Sequence, residues 1–273
     1  MIRLYPGSGG QRPGGNGAGG RGRGACAAGA SGLCPCAGKD ERVIDGEKGG
    51  LAVEAILAAT LEVPFWCSFR VPYTINVHFT YPVPPITTLY GLVACAFGYP
   101  ADHLAPLEGL LFGIGIQEEG RLVETYSKII KWDRRDLRNQ MRTLVMKQKL
   151  HQPVYRMYIC GPAGMMMRLA GALESPHFPL YLGESDDLVE VRDVALYPVC
   201  PVEASILHSC VPVDAGNLRS GRAMVVHLPV AFTAGRRKGW TGVQYRDYYV
   251  APTVELDREV AAFAVEGKNV VLV

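Results

Sequence analysis

Long apolar runs are missing from these 273 residues. The longest, around Leu89–Tyr99, falls well short of the roughly 18–20 residues that a spanning helix needs, so no membrane segment is expected. No apolar stretch follows Met1-Ile2-Arg3, so a secretory signal is not expected either. Asn-x-Ser/Thr does not occur. The eight Cys have no regular spacing and form no C-x-x-C. Cys34-Pro-Cys36 is a lone pair without partners at zinc spacing, so neither a disulfide scaffold nor a metal site is read here. H-E-x-x-H and G-x-S-x-G are also absent, since Gly183-Glu184-Ser185 runs into two Asp. Asp186 and Asp187 read as a turn. These absences predict a cytosolic protein with reduced thiols, no metal and no cofactor.

Enough apolar residues are present, 48% of the chain, for one large core or two modest ones. They are unevenly spread. Residues 1–50 hold 16 of the 32 Gly, with seven Lys/Arg against four Asp/Glu. Gly7–Gly38 has almost no large apolar side chain to offset the entropy of ordering it, which predicts a disordered extension. Either it is dispensable, or it is an Arg/Gly-rich tail that touches RNA through Arg21 and Arg23. Its glycines follow no strand and open no helix, so they do not form a phosphate loop. The other 223 residues carry 21 basic against 22 acidic groups, so nucleic-acid binding there needs a local patch.

Residues 51–273 read as one folded domain. Leu51–Val63 is a strand candidate. Tyr81–Pro85 carries three prolines and cannot be helical. Thr87 or Thr88 is placed to cap a helix over Leu89–Phe97 that Gly98 ends. Leu110–Ile116 and Leu122–Trp132 flank Glu118-Glu119-Gly120 and read as a hairpin. Val154–Cys160 is a strand, Ala163–Leu173 a helix with Met165, Met166, Leu169 and Leu173 mostly on one face, and Val189–Val199 a strand. Met224–Phe232, Tyr245–Val250 and Val270–Val273 are further strands. The order is β-α-β-β-α-β, an α/β (α+β) ferredoxin-like pattern shared with RNA-recognition modules. An irregular basic insertion interrupts it at about 128–151, and a β-rich part follows at about 200–273. Fold alone carries little functional weight.

One segment is more specific. Phe69–Pro100 contains Phe69-Arg70-Val71-Pro72, then Thr80-Tyr81-Pro82-Val83-Pro84-Pro85, then Thr87, Thr88 and Leu89-Tyr90-Gly91-Leu92. The prolines fix an extended entry and pin the helix start. That start offers free N–H groups to an anion, or is simply well capped. Gly91 is expected to let the helix pack closely on the sheet. Two further elements are Pro179–Glu184 (PLYLGE), and Leu228-Pro229 followed by Arg236-Arg237 and a Tyr-rich strand (YRDYYVAP). Together they resemble the CRISPR-associated Cas-five family, the RAMP-type subunits of type I Cascade complexes. The resemblance runs from about residue 52 to the C-terminus and does not cover residues 1–50.

The resemblance implies a non-catalytic subunit in antiviral defence. It would grip the 5′ handle of the guide RNA (crRNA) and cap one end of the complex. Its neighbours would be a Cas-seven-type backbone subunit and the large subunit that reads the flanking DNA motif, so a homo-oligomer is not expected. Family members also carry a basic inserted thumb, similar in place to the densest basic stretch here. That stretch contains Lys128, Lys131, Arg134, Arg135, Arg138, Arg142, Lys147 and Lys149 against Asp133 and Asp136. A second RNA-binding patch is Arg236-Arg237-Lys238 between two glycines and beside Trp240, which is suited to stacking. Arg70 is a third candidate, with Tyr73 and Tyr81 as stacking residues or as core. In one subtype the family's protein cuts the precursor itself. The constellation here loosely similar to it is Lys149, His151 and Tyr155, with Tyr73 or Tyr81 as a further member. His78, His103, His177, His208 and His227 have no evident partner in the sequence.

Overall fold

A computed structural model describes residues 53–74, 76–100, 103–132, 140–234 and 240–273. The expected extension over residues 1–50 lies outside the described residues. Strand β1 (Glu54–Glu62) begins the domain, with two short strands, β2 (Trp66–Cys67) and β3 (Val77–His78), before helix α1 (Ile86–Phe97). Then come β4 (Leu111–Glu118), β5 (Arg121–Trp132), β6 (Gln140–His151) and β7 (Val154–Pro162). Helix α2 (Ala163–Glu174) leads to β8 (Glu190–Pro198).

The first sheet has the order β4-β7-β1-β8, with every neighbour antiparallel. This is the ferredoxin-like arrangement that the β-α-β-β-α-β order predicts, with the first strand at its centre. Both faces of β1 are covered, which is why its sequence, EAILAATLE, runs apolar without alternating. Leu57, Ala59 and Leu61 point to the core shared with the two helices. Ile56 and Ala58 point the other way and pack with Tyr158, Cys160, Val265, Val270 and Leu272 from the C-terminal part.

Three local expectations are corrected. Helix α1 starts at Ile86, with Pro85 as its extended N-cap, so neither Thr87 nor Thr88 is the cap; both lie in the first turn. The fixed φ of Pro85 sets the extended entry, and its carbonyl accepts from Thr88 N–H at 2.9 Å and Leu89 N–H at 3.2 Å, while no side chain caps the first turn. The helix does end at Gly98, which is left-handed with φ 73°. A Cβ there would also press on the His177 ring at 2.4 Å. Second, β4 and β5 do not form a hairpin. β4 pairs with β7 and β5 with β6, so Glu119-Gly120 carries the chain from one sheet to another. Third, the described parts of the basic segment are regular: β5 and β6 pair residue for residue from Arg121↔His151 to Trp132↔Gln140. β2 and β3 flank the base of this ladder at His151–Leu150 and at Met146–Lys147.

The C-terminal part is β-rich, as expected. It comprises β9 (Pro201–Leu207), β10 (Val211–Pro212), β11 (Leu218–Ser220), β12 (Met224–Ala234), β13 (Trp240–Val250), β14 (Val254–Val265) and β15 (Lys268–Val270). β12 and β13 form a hairpin whose inner residues Leu228, Tyr248 and Val250 join the main core. β14 pairs with β9, β11 and β15. The last residue closes on the first sheet, where Phe112 and Val273 exchange backbone hydrogen bonds at 2.8 and 2.9 Å. Among the described residues no helix is long and apolar enough to cross a membrane.

Candidate nucleic-acid interface

Segments far apart in sequence line one groove over α1. Its walls include Thr87, Gly91 and Cys95 from the helix, Phe178 and Tyr181 from the loop after α2, and Phe232 from β12, around about 430 Å³. A smaller hollow continues it past Thr88, Gly91, Tyr181 and Gly183. The Cys95 thiol donates to the Pro179 carbonyl at 3.6 Å, tying the loop to the helix. Gly91 is exposed, and a Cβ on it would meet no described atom within 4 Å. The expectation that it packs on the sheet is therefore corrected: it faces the groove. The first turn of α1 holds no acidic residue. Its free N–H groups and the Thr87 and Thr88 side chains stand at the groove's margin, a setting that favours an anion.

The PLYLGE element is fixed by the backbone it crosses. Gly183 has φ 109°, and a Cβ on it would lie 2.4 Å from the Ser68 carbonyl oxygen. Past it the chain turns, with Asp187 N–H donating to Glu184 O at 3.0 Å. The buried Asp187 carboxylate accepts from Ser68 N at 2.9 Å, Glu184 N at 3.3 Å and Lys149 Nζ at 2.7 Å. Lys149 also reaches Glu184 at 3.4 Å, and Lys147 reaches it at 2.6 Å. Burial alone would lower the Lys149 ammonium, but the hydrogen bond and charge of Asp187, with Glu184, hold it above its usual value. Glu184, Asp186 and Asp187 come within 4.8 Å of one another, yet two lysines answer their charge.

This network removes Lys147 and Lys149 from the basic patch. The cations of that patch left with described side chains are Lys128 and Arg142, both exposed. They share the outward face of β5–β6 with Leu122, Tyr126, Ile130 and Leu144, all exposed. Lys131 lies on β5, and only its backbone is described. Arg134, Arg135, Arg138, Arg236, Arg237 and Lys238 lie outside the described residues, and of Trp240 only the backbone, opening β13, is described.

The residues considered for cutting are not presented together. Tyr155 is fully buried and donates to the Pro82 carbonyl at 2.8 Å, and burial holds its phenol well above the usual value. Lys149 is committed to Asp187, and His151 is half-buried at the base of the ladder opposite Trp66 and Arg121. Tyr81, at 6% exposure, belongs to the core.

Arg70 is exposed, bridges to Thr80 in backbone pairing and donates to the Thr74 carbonyl at 3.3 Å. Tyr73 stands out at 73% exposure, its ring 6.0 Å from that of Tyr245. Tyr245 in turn stacks on His227 at 4.9 Å and 7° between planes. His227, without a partner in the sequence, has one in the structure: Asp247 sits directly across the β12–β13 ladder, and its carboxylate lies 2.7 Å from His227 Nδ1. Burial pushes the Tyr245 phenol up to about 12, with the Tyr73 hydroxyl adding to the effect.

The family described as "CRISPR-associated protein (Cas_Cas5)" matches residues 56–263, most of the chain. No curated protein matches it. A solved "CRISPR RNA-guided surveillance complex" chain is similar at 16% identity and TM-score 0.49, with 73% of this chain and 91% of that one covered. A CRISPR protein from Archaeoglobus fulgidus is similar at 15% identity and TM-score 0.47, covering 79% and 98% respectively. A chain of the Type III-B Cmr-beta complex bound to cognate target RNA and AMPPnP follows at 9% identity and TM-score 0.46, covering 73% and 86%.

Proposed function

This chain belongs to the CRISPR-associated Cas5 family, and on that premise we propose that it is a non-catalytic subunit of a type I Cascade complex that holds the 5′ handle of the guide RNA. The handle lies along the groove over α1, with a phosphate at the helix N-terminus and bases against Phe178, Tyr181 and Phe232. The β5–β6 ladder closes over the strand, its Lys128 and Arg142 meeting phosphates. In the complex, the protein caps the backbone beside a Cas-seven-type subunit and contacts the large subunit that reads the DNA motif, in the cytoplasm of the host cell.

The observation that carries this reading is the convergence of Thr87 and Gly91, of Tyr181, and of Phe232 on one groove. Residues from three distant segments with no shared core task meet there, which is what recognition of an extended ligand requires. The burial of Lys149 and Tyr155 supports holding over cutting. The test is to incubate purified protein with labelled repeat RNA in EDTA and to run native and denaturing gels. The expected result is a shifted, intact RNA. A single clean cut, lost in His151→Ala, would overturn the non-catalytic reading.

A further inference from the structure

The exposed His227 ring on β12 and the half-buried Tyr245 ring on β13 are not among the core residues. His227 and Tyr245 are diagonal neighbours on one face of the β12–β13 hairpin, close enough for aromatic side chains to meet. Asp247, directly opposite His227, accepts from its Nδ1 and fixes the imidazole plane. Tyr245 therefore rests on a ring that cannot turn freely. Tyr73 comes from the loop after the F-R-x-P element and adds an outer ring, tilted 40° to that of Tyr245. Single exposed apolar side chains need no explanation, but rings in file from two distant segments are an organised surface. His227 is five residues from Phe232 along β12, roughly 15 Å at strand rise, which separates this surface from the groove.

We propose that Tyr73, Tyr245 and His227 form a stacking shelf for one unpaired nucleobase of single-stranded RNA, a second contact distinct from the groove over α1. The proposal rests on the RNA-holding reading above and extends the bound strand to a new place. A nucleobase is favoured because every base has a flat π-face, and a file of rings with an open outer member is a platform for one. Arg70, exposed in the same loop as Tyr73, adds positive charge for the adjoining phosphate. Asp247 and His227 are positioning residues here and do not themselves read the base.

The experiment titrates labelled single-stranded repeat RNA into the full chain, as wild type, Tyr73→Ala and Tyr73→Phe, at several salt concentrations. A parallel sample carries 4-thiouridine for photo-crosslinking. Loss of one base–aromatic stack weakens binding by roughly 5- to 150-fold. Tyr73→Ala is expected in that range, with the salt slope unchanged because no cation is lost. Tyr73→Phe is expected to bind like wild type, and the crosslink is expected on the peptide holding Tyr73 or Tyr245. Equal affinity of Tyr73→Ala and wild type would sink the shelf and leave the RNA-holding reading standing. The same result joined to loss of a partner subunit would reassign the surface to a protein contact. Wild-type protein that binds no RNA would overturn both readings.

Discussion

Arg156 lies in the middle of β7 at 3% exposure, a place where an unpaired guanidinium would be very costly. Every side of it is answered. Nη1 donates to Thr60 Oγ1 and to the Asp193 carbonyl, both at 2.9 Å, while Nε and Nη2 donate to the two Glu266 oxygens. The Tyr197 hydroxyl donates to Glu266 as well, at 2.6 Å. Asp193 and Glu266 both have positive φ, so an irregularity within β8 and the β14–β15 turn deliver these acceptors. The network fastens the first sheet to the β14–β15 turn. Arg156→Met should cost about 3 kcal/mol in urea melts, since it removes the guanidinium that balances the Glu266 carboxylate and the donors to Thr60 and Asp193. Burial alone would raise Glu266, but Arg156 and Tyr197 outweigh it and hold the carboxyl below its usual 4.5. A depressed acid stabilises the fold above its unfolded pKa and ceases to do so as pH falls through the folded one. The stability gap between wild type and Glu266→Gln should thus be full at pH 7 and shrink below about 4.5. A gap that stays constant with pH would show that Glu266 contributes no ionic stabilisation.

Helix α1 separates folding from binding through Gly91. A mid-helix glycine costs roughly 0.5–1 kcal/mol relative to Ala, and nothing described within 4 Å forbids a Cβ there. Gly91→Ala should therefore raise stability by about that amount while narrowing the groove and weakening RNA binding. A variant that melts later and binds RNA as well as wild type would remove Gly91 from the interface. By contrast, Gly183→Ala should destabilise by more than about 2 kcal/mol, because its Cβ strikes the Ser68 carbonyl at a positive φ. The ferredoxin-like unit was legible because β1, β7 and the two helices carry strong apolar patterns. What could not be read was pairing. Glu119-Gly120 looks like a hairpin turn, and only long-range pairing reveals that it changes sheets. β14 hides behind Asp257-Arg258-Glu259, which lie where its register to β9 jumps between Glu255 and Val260. The Thr87–Thr88, L-Y-G-L and Y-L-G elements pointed to Thr87, Gly91 and Tyr181 of the groove but not to Phe178 or Phe232, and the meeting of all five over α1 depends on tertiary packing. His227–Asp247 needed the β12–β13 register, which shifts twice along the hairpin.

At the scale of the whole molecule, the described body is held together from its base outward, and the β5–β6 ladder is where that support ends. β2 and β3 pair with β6 only up to Met146, and Lys147 and Lys149 pin the same stretch to Glu184 and Asp187. Beyond Val145, β5 and β6 pair only with each other among the described residues. A bare two-stranded ribbon is marginally stable in water, so this outer half contributes little to the global melt. It nevertheless displays Lys128, Arg142, Tyr126, Ile130 and Leu144 to solvent. A surface kept only for solubility would not place bulky apolar groups between its cations. Substituting Lys128→Ala together with Arg142→Ala should leave the melting temperature within about 1 °C of wild type, since neither side chain is packed. If each cation meets a phosphate, the slope of log K against log salt for single-stranded RNA should fall by about 1.4, near 0.7 per contact. An unchanged slope with unchanged affinity would mean that the RNA never reaches this ribbon, and that the clamp must be sought elsewhere on the molecule. Weaker binding with an unchanged slope would instead mean that the ribbon acts through its apolar face.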